Sequence, residues 1–286
     1  MITMILYYII VLPISLLPYP ILHLISKAIY FLSYKIFGYR KKVVTDNIKN
    51  AFPKKNEEEL KEIIINFYSH FADIIIEITK TLSANKNFLN RRVLLKNKEL
   101  IDNYADQNQT IILVCGHFNN WEWAGQKLSI SAKQKVVSIY KSLSNKKINR
   151  IIKRARTKFG ARAISMEESM RHIIETKKET KIICIISDQN PVVKSNTRWY
   201  SFFKREVPVF MGTEKIAKKM NYPVVFCDMQ KTNKGKYTIT FEDLAREPKE
   251  TNDGDITKIY IERLEKQIKE NPSQWLWSHN RWKHTK

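Results

Sequence analysis

Large apolar side chains dominate residues 2–25, and no Lys, Arg, Asp or Glu occurs in the first 26 residues. That length suffices to cross a bilayer, which takes roughly 20 apolar residues. Pro13, Pro18 and Pro20 interrupt the stretch, so a broken helix lying along the interface is the alternative left open. Further on, Asn56 followed by Glu57, Glu58 and Glu59 marks a helix start. Leu60, Ile63, Ile64, Phe67, Phe71, Ile74, Ile75 and Ile78 then recur at helical spacing, which predicts an amphipathic helix packed on the main body. Short apolar runs at 110–115, 136–140, 182–187 and 224–229 read as strands, with helices beginning near Trp121, Lys146, Glu167 and Thr213. Residues 236–242 alternate as a half-exposed strand, and 256–269 read as a surface helix. Such alternation predicts an α/β fold: a single domain with a mostly parallel central sheet flanked by helices, preceded by an apolar membrane-anchoring segment. The expected division is an anchor or interfacial helix at 1–34 and a globular domain at 35–286.

Charge sharpens this picture. Fifty Lys and Arg stand against 28 Asp and Glu, a net charge of +22, which implies a polyanionic surface or ligand. Nucleic acid, anionic lipid and an acidic carrier protein all qualify. Lys27, Lys35, Arg40, Lys41 and Lys42 directly follow the apolar stretch, and the positive-inside tendency then keeps the rest of the chain in the cytoplasm. No basic residue precedes the stretch and no small-residue cleavage site follows it, which argues against a removed signal peptide. Cys115, Cys184 and Cys227 lie in apolar runs at no metal-ligand spacing and read as reduced core thiols. His23, His70, His172 and His284 have no companions at useful spacing, so no metal site is expected.

The sharpest chemical signal is Cys115-Gly116-His117-Phe118-Asn119-Asn120-Trp121-Glu122, where a buried strand ends and a helix begins. Catalytic groups of open α/β sheets gather at this carboxyl edge. His117 suits a general base, with Glu122 orienting the imidazole. Five residues of helix would separate the two by about 140°, so they meet only if His117 lies in a turn, which Gly116 makes plausible. Equally, His117 reads as a satisfied loop histidine and Glu122 as an acid complementing a helix dipole.

His, four residues, then Glu or Asp after such a strand resembles the glycerolipid and lipid A acyltransferases. The flanking residues 118–123 resemble the late acyltransferases of lipid A biosynthesis in particular. Further likenesses follow in the same order along nearly the whole chain. They are the segment at 47–53, Ser187-Asp188-Gln189-Asn190, Phe202-Phe203 ahead of Gly212-Thr213, and the aromatic tail from Trp275 to Lys283. The chain departs from the family at Asn190, where a second acid is common, and at Trp282, where Phe is more usual; both bear on the substrate more than on the reaction class.

The resemblance implies an acyl carrier protein thioester as donor and a lipid A precursor, or a related anionic glycolipid, as acceptor. It also implies a catalytic domain on the cytoplasmic face of a bacterial inner membrane, with no cofactor and no metal. Twelve basic residues and no acid lie between Glu122 and Glu167, a run suited to a phosphorylated lipid or the acidic carrier. By the same resemblance Arg154 or Arg156 serves as an oxyanion- or phosphate-binding residue. Asn120 and Asp188 are implied as active-site support, the bland reading of Asp188 being a turn acid. His279 reads as part of a packed tail. No Gly-x-Ser-x-Gly elbow suggests an acyl-enzyme route. The competing readings are an acyltransferase acting on a lysophospholipid or aminolipid, a hydrolytic variant, and a non-catalytic basic protein that binds membrane or nucleic acid. No nucleic-acid motif accompanies the charge.

Overall fold

The computed structural model describes residues 2–193 and 197–284. The strands among them are β1 (Val93–Leu95), β2 (Ile111–Cys115), β3 (Lys135–Tyr140), β4 (Arg162–Ser165), β5 (Lys181–Ile186), β6 (Trp199–Phe202), β7 (Arg205–Pro208), β8 (Val224–Asn233) and β9 (Lys236–Ala245). Seven form one sheet in the order β1-β9-β8-β2-β5-β3-β4, and β6 and β7 form a separate hairpin. Every pairing in the large sheet is parallel except β8 with β9. The central runs of β2, β5 and β8, residues 111–115, 182–186 and 224–227, are apolar because helices cover both faces of a parallel sheet. Ile112, Val114, Ile183, Ile185 and Phe226 enter one core, and Ile111, Leu113, Ile182, Val225 and Cys227 the other. The expected mixed α/β domain is therefore what the chain adopts.

Two expectations change in detail. The stretch at 236–242 is not half-exposed: β9 lies inside the sheet between β1 and β8, and Tyr237, Thr238, Ile239 and Phe241 are all buried. The helix Asp255–Glu270 is only half a surface helix, since Ile256, Tyr260, Ile261, Leu264 and Ile268 pack into the core. β1, β4, β6 and β7 span three or four residues each, too few for a periodic signal.

The N-terminal segment does not form one long rod. Helical turns run from Ile2 to Leu16, the backbone then extends at Leu17 and Pro18, and a second helical run extends from Tyr19 to Ile36. Among the described residues no helix is long and apolar enough to cross a membrane. Polar groups on one face of the helix Glu57–Thr81 bind this layer to the body. Asp73 accepts from Ser26 Oγ at 2.7 Å, Glu77 accepts from the Tyr19 hydroxyl at 2.9 Å, and Lys80 Nζ donates to the Ser15 and Leu17 carbonyls at 2.8 and 3.1 Å. Spacings of four and three residues put the three side chains on one stripe. Lys80 thereby satisfies carbonyls freed where the first helical run ends. Tyr19 fits because Gly235, at φ +60°, leaves its hydroxyl room that a Cβ would fill, while the Arg92 guanidinium stacks 3.6 Å from its ring centroid. The opposite side of the layer is bare: Ile9 is 69% and Phe37 75% exposed, with Leu16, Leu24, Phe31 and Ile36 beside them.

The helix Glu57–Thr81 starts with the expected Asn56 cap, a full capping box in which Asn56 Oδ1 accepts from Glu59 N and Glu59 accepts from Asn56 N. Its most consequential side chain is Glu77, 1% exposed, whose carboxylate accepts from Tyr19, Asn120 and Tyr237 at 2.9, 2.9 and 2.7 Å. Burial raises its carboxyl above the ordinary value, and those three donors offset part of that rise. Its folded-state pKa being raised, Glu77 costs the protein stability as pH climbs past the ordinary carboxylate range. Glu77→Ala strands three buried donors and should destabilise the fold by at least about 3 kcal/mol. Glu77→Gln, which keeps the shape and lets a tyrosine hydroxyl reverse its role, should cost far less; chemical denaturation of the two variants measures the difference.

Candidate active site

β2 and β5 are adjacent and parallel with Cys115 opposite Ile186. His117 and Asp188 each lie two residues past those paired ends, so sheet register alone brings them side by side. Asp188 is 4% exposed. Its Oδ1 lies 2.6 Å from His117 Nδ1, and its Oδ2 accepts the His117 backbone N–H at 2.7 Å and the Trp275 indole N–H at 2.8 Å. Gly116 permits this approach: a Cβ there would meet Leu264 at 2.7 Å and Asp188 Oδ2 at 3.2 Å.

Burial pushes the Asp188 carboxyl up, but the charge of the His117 imidazole and the hydrogen bonds from His117 and Trp275 prevail and hold it at about 2. A carboxylate on Nδ1 fixes the tautomer with its proton there and leaves the Nε2 lone pair free. Nε2 faces outward, with the amide nitrogen of Gln189 3.5 Å away, and Trp121 meets the imidazole edge-on at 4.8 Å between centroids.

Here the sequence expectation is corrected. Asp188, not Glu122, holds the imidazole. Glu122 starts the helix Trp121–Ser131 and points to the helix Lys146–Thr157, where Arg156 grips it with Nε at 3.0 Å and NH2 at 2.5 Å. Five residues of separation put Glu122 a turn away from a histidine that lies outside the helix, whereas the neighbouring strand delivers Asp188 directly. Arg154 is exposed on the same helix with no ion pair among the described residues, so the structure separates the two arginines: Arg156 is engaged and Arg154 is free. Asn120 is wholly buried and caps the helix Trp121–Ser131 through Oδ1 to the Trp123 N–H at 3.0 Å, while its Nδ2 donates to Glu77.

The C-terminal tail closes the site from behind. Phe118 and Trp275 form an antiparallel bridge, the Leu276 N–H donates to the His117 carbonyl at 3.1 Å, and the Asn119 N–H donates to the Gln274 carbonyl at 3.0 Å. Arg281, buried, donates through NH1 to Asn190 Oδ1 and, at 3.0 Å, to the Pro208 carbonyl; Asn190 returns a bond to the Asn280 carbonyl at 2.8 Å. The tail is thus the packed aromatic element expected. His279 Nδ1 is buried with no hydrogen-bond partner among the described residues, and the residue's main-chain oxygen accepts from Asn47 Nδ2 at 2.8 Å. Trp275 and Arg281 as partners of the Asp188 loop escaped the sequence reading, because nearly ninety residues separate them from it.

Cys115, Cys184 and Cys227 are free thiols in β2, β5 and β8. Burial pushes all three up, Cys184 to about 12, which suppresses the thiolate a nucleophile needs. Of the basic run, Lys133 pairs with Asp106, Lys135 and Arg162 pair with Glu179, and Arg156 pairs with Glu122. Lys141, Lys146, Lys147, Arg150, Lys153 and Arg154 stay exposed without an ion pair among the described residues, and the helix Ile2–Leu6 contacts the helix Lys146–Thr157.

The low Asp188 value carries a stability consequence. Being depressed in the folded state, it contributes stability that is present above its ordinary value of 3.8 and lost as pH falls toward 2. The amount is about 2 kcal/mol. Acid titration of stability should show this loss in wild type, and Asp188→Asn should remove it from the difference between pH 5 and pH 2.

The family model for bacterial lipid A biosynthesis acyltransferase matches residues 1–284. A lipid A biosynthesis acyltransferase 2 from Shigella flexneri is 21% identical over 183 residues, which cover 63% of this chain and 58% of that protein's length.

Proposed function

The chain belongs to the bacterial lipid A biosynthesis acyltransferase family, and on that footing we propose that it transfers a fatty acyl chain from an acyl carrier protein thioester to a hydroxyl of a phosphorylated glycolipid, a lipid A precursor. The observation that carries this reading is the imidazole of His117, one nitrogen bound to an ionised buried carboxylate and the other open to the outside. The acceptor hydroxyl gives its proton to Nε2 while its oxygen attacks the thioester carbonyl. The tetrahedral intermediate then expels the carrier thiolate, which takes the proton back from His117. Asp188 is a positioning residue that keeps the proton on Nδ1 and stabilises the imidazolium. Glu122 and Arg156 clamp the helix behind the histidine to the basic helix.

The exposed cations of the helix Lys146–Thr157 suit the acidic face of a carrier protein or the phosphates of the acceptor. The bare apolar face of residues 1–34 suits insertion into one leaflet as an interfacial anchor, with residues 35–286 as the acyltransferase domain. The cytoplasmic face of the inner membrane agrees with three free thiols and with the basic residues after the apolar stretch.

Acyl transfer from labelled acyl carrier protein to a purified lipid A precursor tests the reading. His117→Ala should lower kcat by about 10²–10⁴-fold. Asp188→Asn should fall steeply as well, since an amide cannot accept from three N–H groups, while Asp188→Glu regains part of the rate. Undiminished transfer by His117→Ala would sink the mechanism, and product from lysophospholipid alone would replace the acceptor. Charge reversal at the exposed basic helix, Lys147→Glu with Arg150→Glu, should raise KM for the acyl carrier by about 10-fold and leave kcat within about twofold, an effect that added salt reproduces in wild type.

A further inference from the structure

Four consecutive residues, Ser187 to Asn190, leave the carboxyl end of β5, and three of them are fixed. Ser187 donates its N–H to the Cys115 carbonyl at 3.3 Å and pairs its hydroxyl with Thr213 at 2.9 Å. Asp188 is saturated by His117 and Trp275. Asn190 is held by Arg281 and by the Asn280 carbonyl. Gln189 differs. Its side chain is exposed, and its amide nitrogen has no hydrogen-bond partner among the described residues nearer than His117 Nε2 at 3.5 Å. Locked neighbours on both sides thus place a neutral N–H donor over the imidazole nitrogen that Asp188 leaves open.

We propose that Gln189 is a catalytic residue that donates a hydrogen bond from its side-chain amide to the oxyanion of the tetrahedral intermediate. This rests on the acyl-transfer reading above. The attacking oxygen must come within about 3.2 Å of Nε2 to surrender its proton. Its new bond to the thioester carbon drives the carbonyl π pair onto oxygen, so the oxyanion forms within one further bond of that point and inside the reach of the Gln189 amide. Collapse restores the carbonyl, breaks the carbon–sulfur bond and returns the proton from His117 to the carrier sulfur. In the free enzyme the amide rests against the Nε2 lone pair; the arriving hydroxyl takes that place and releases the donor to the developing charge. Neither arginine of the basic helix fills the role so directly. Arg156 spends Nε and NH2 on Glu122, and Arg154 is exposed to solvent.

The test measures transfer from acyl carrier protein to the lipid A precursor, or to lysophospholipid if that is the acceptor wild type uses. Gln189→Met keeps the length and removes the donor; Gln189→Glu keeps the length and presents a negative charge. Gln189→Met should lower kcat by about 100-fold, the cost of losing one oxyanion donor, with both KM values within about threefold. Gln189→Glu should be slower still. For Gln189→Met, thermal unfolding and the shape of the pH–rate profile should match wild type, because the His117–Asp188 pair is untouched and no charge is added. A Gln189→Met kcat within about threefold of wild type overturns the assignment and leaves the transfer reaction standing. In Gln189→Met, loss confined to KM, or loss accompanied by a lower melting temperature or a displaced pH profile, also overturns it, since these mark binding or structural roles. Wild type that transfers nothing to either acceptor overturns both the assignment and the reading beneath it.

Discussion

A carboxylate buried to 4% exposure is stable as an anion only if enough donors replace the water it has lost. Asp188 receives three N–H groups, from the His117 ring, the His117 backbone and the Trp275 indole, and it stays ionised against its own desolvation. Those donors come from two distant parts of the chain, so satisfying one side chain fixes the turn after β2, the exit of β5 and the C-terminal tail relative to one another. The orientation of the imidazole, the open Nε2 and the close packing at Gly116 all descend from that arrangement.

A second buried acid does related work on the opposite side of the turn. Glu77 joins the N-terminal layer through Tyr19, β9 through Tyr237 and the helix cap through Asn120. The same face of its helix carries Asp73, whose partners include Ser26, Lys231 and Lys234, and Lys80, which takes the carbonyls at the break before Tyr19. An apolar segment so anchored has its polar groups matched to the protein and its hydrophobic side chains left facing outward. That division suits the interfacial anchor proposed above.

Glu122 has its own place in this scheme. Its bidentate pair with Arg156 joins the helix that follows the histidine to the basic helix. The acid five residues from the histidine and the arginine beyond it therefore act on each other, and the imbalance of charge in the basic run resolves into a few internal pairs and one exposed cationic helix beside the apolar layer.

The sequence by itself determined the strands β2, β3, β5 and β8, the long capped helix from Asn56, the parallel α/β class and the turn holding His117, because each rests on local periodicity, capping or a glycine at a strand end. It also picked out Asp188 and the aromatic tail as matching a known pattern. Tertiary structure alone decided that Asp188 and not Glu122 meets the imidazole, that Trp275 and Arg281 secure the Asp188 loop, and that the apolar N-terminus breaks at Leu17 and folds back onto Glu77 and Lys80. Those contacts join residues from 58 to 91 positions apart. Which distant side chains meet is set by strand order and register, and a linear pattern of side chains carries no measure of either.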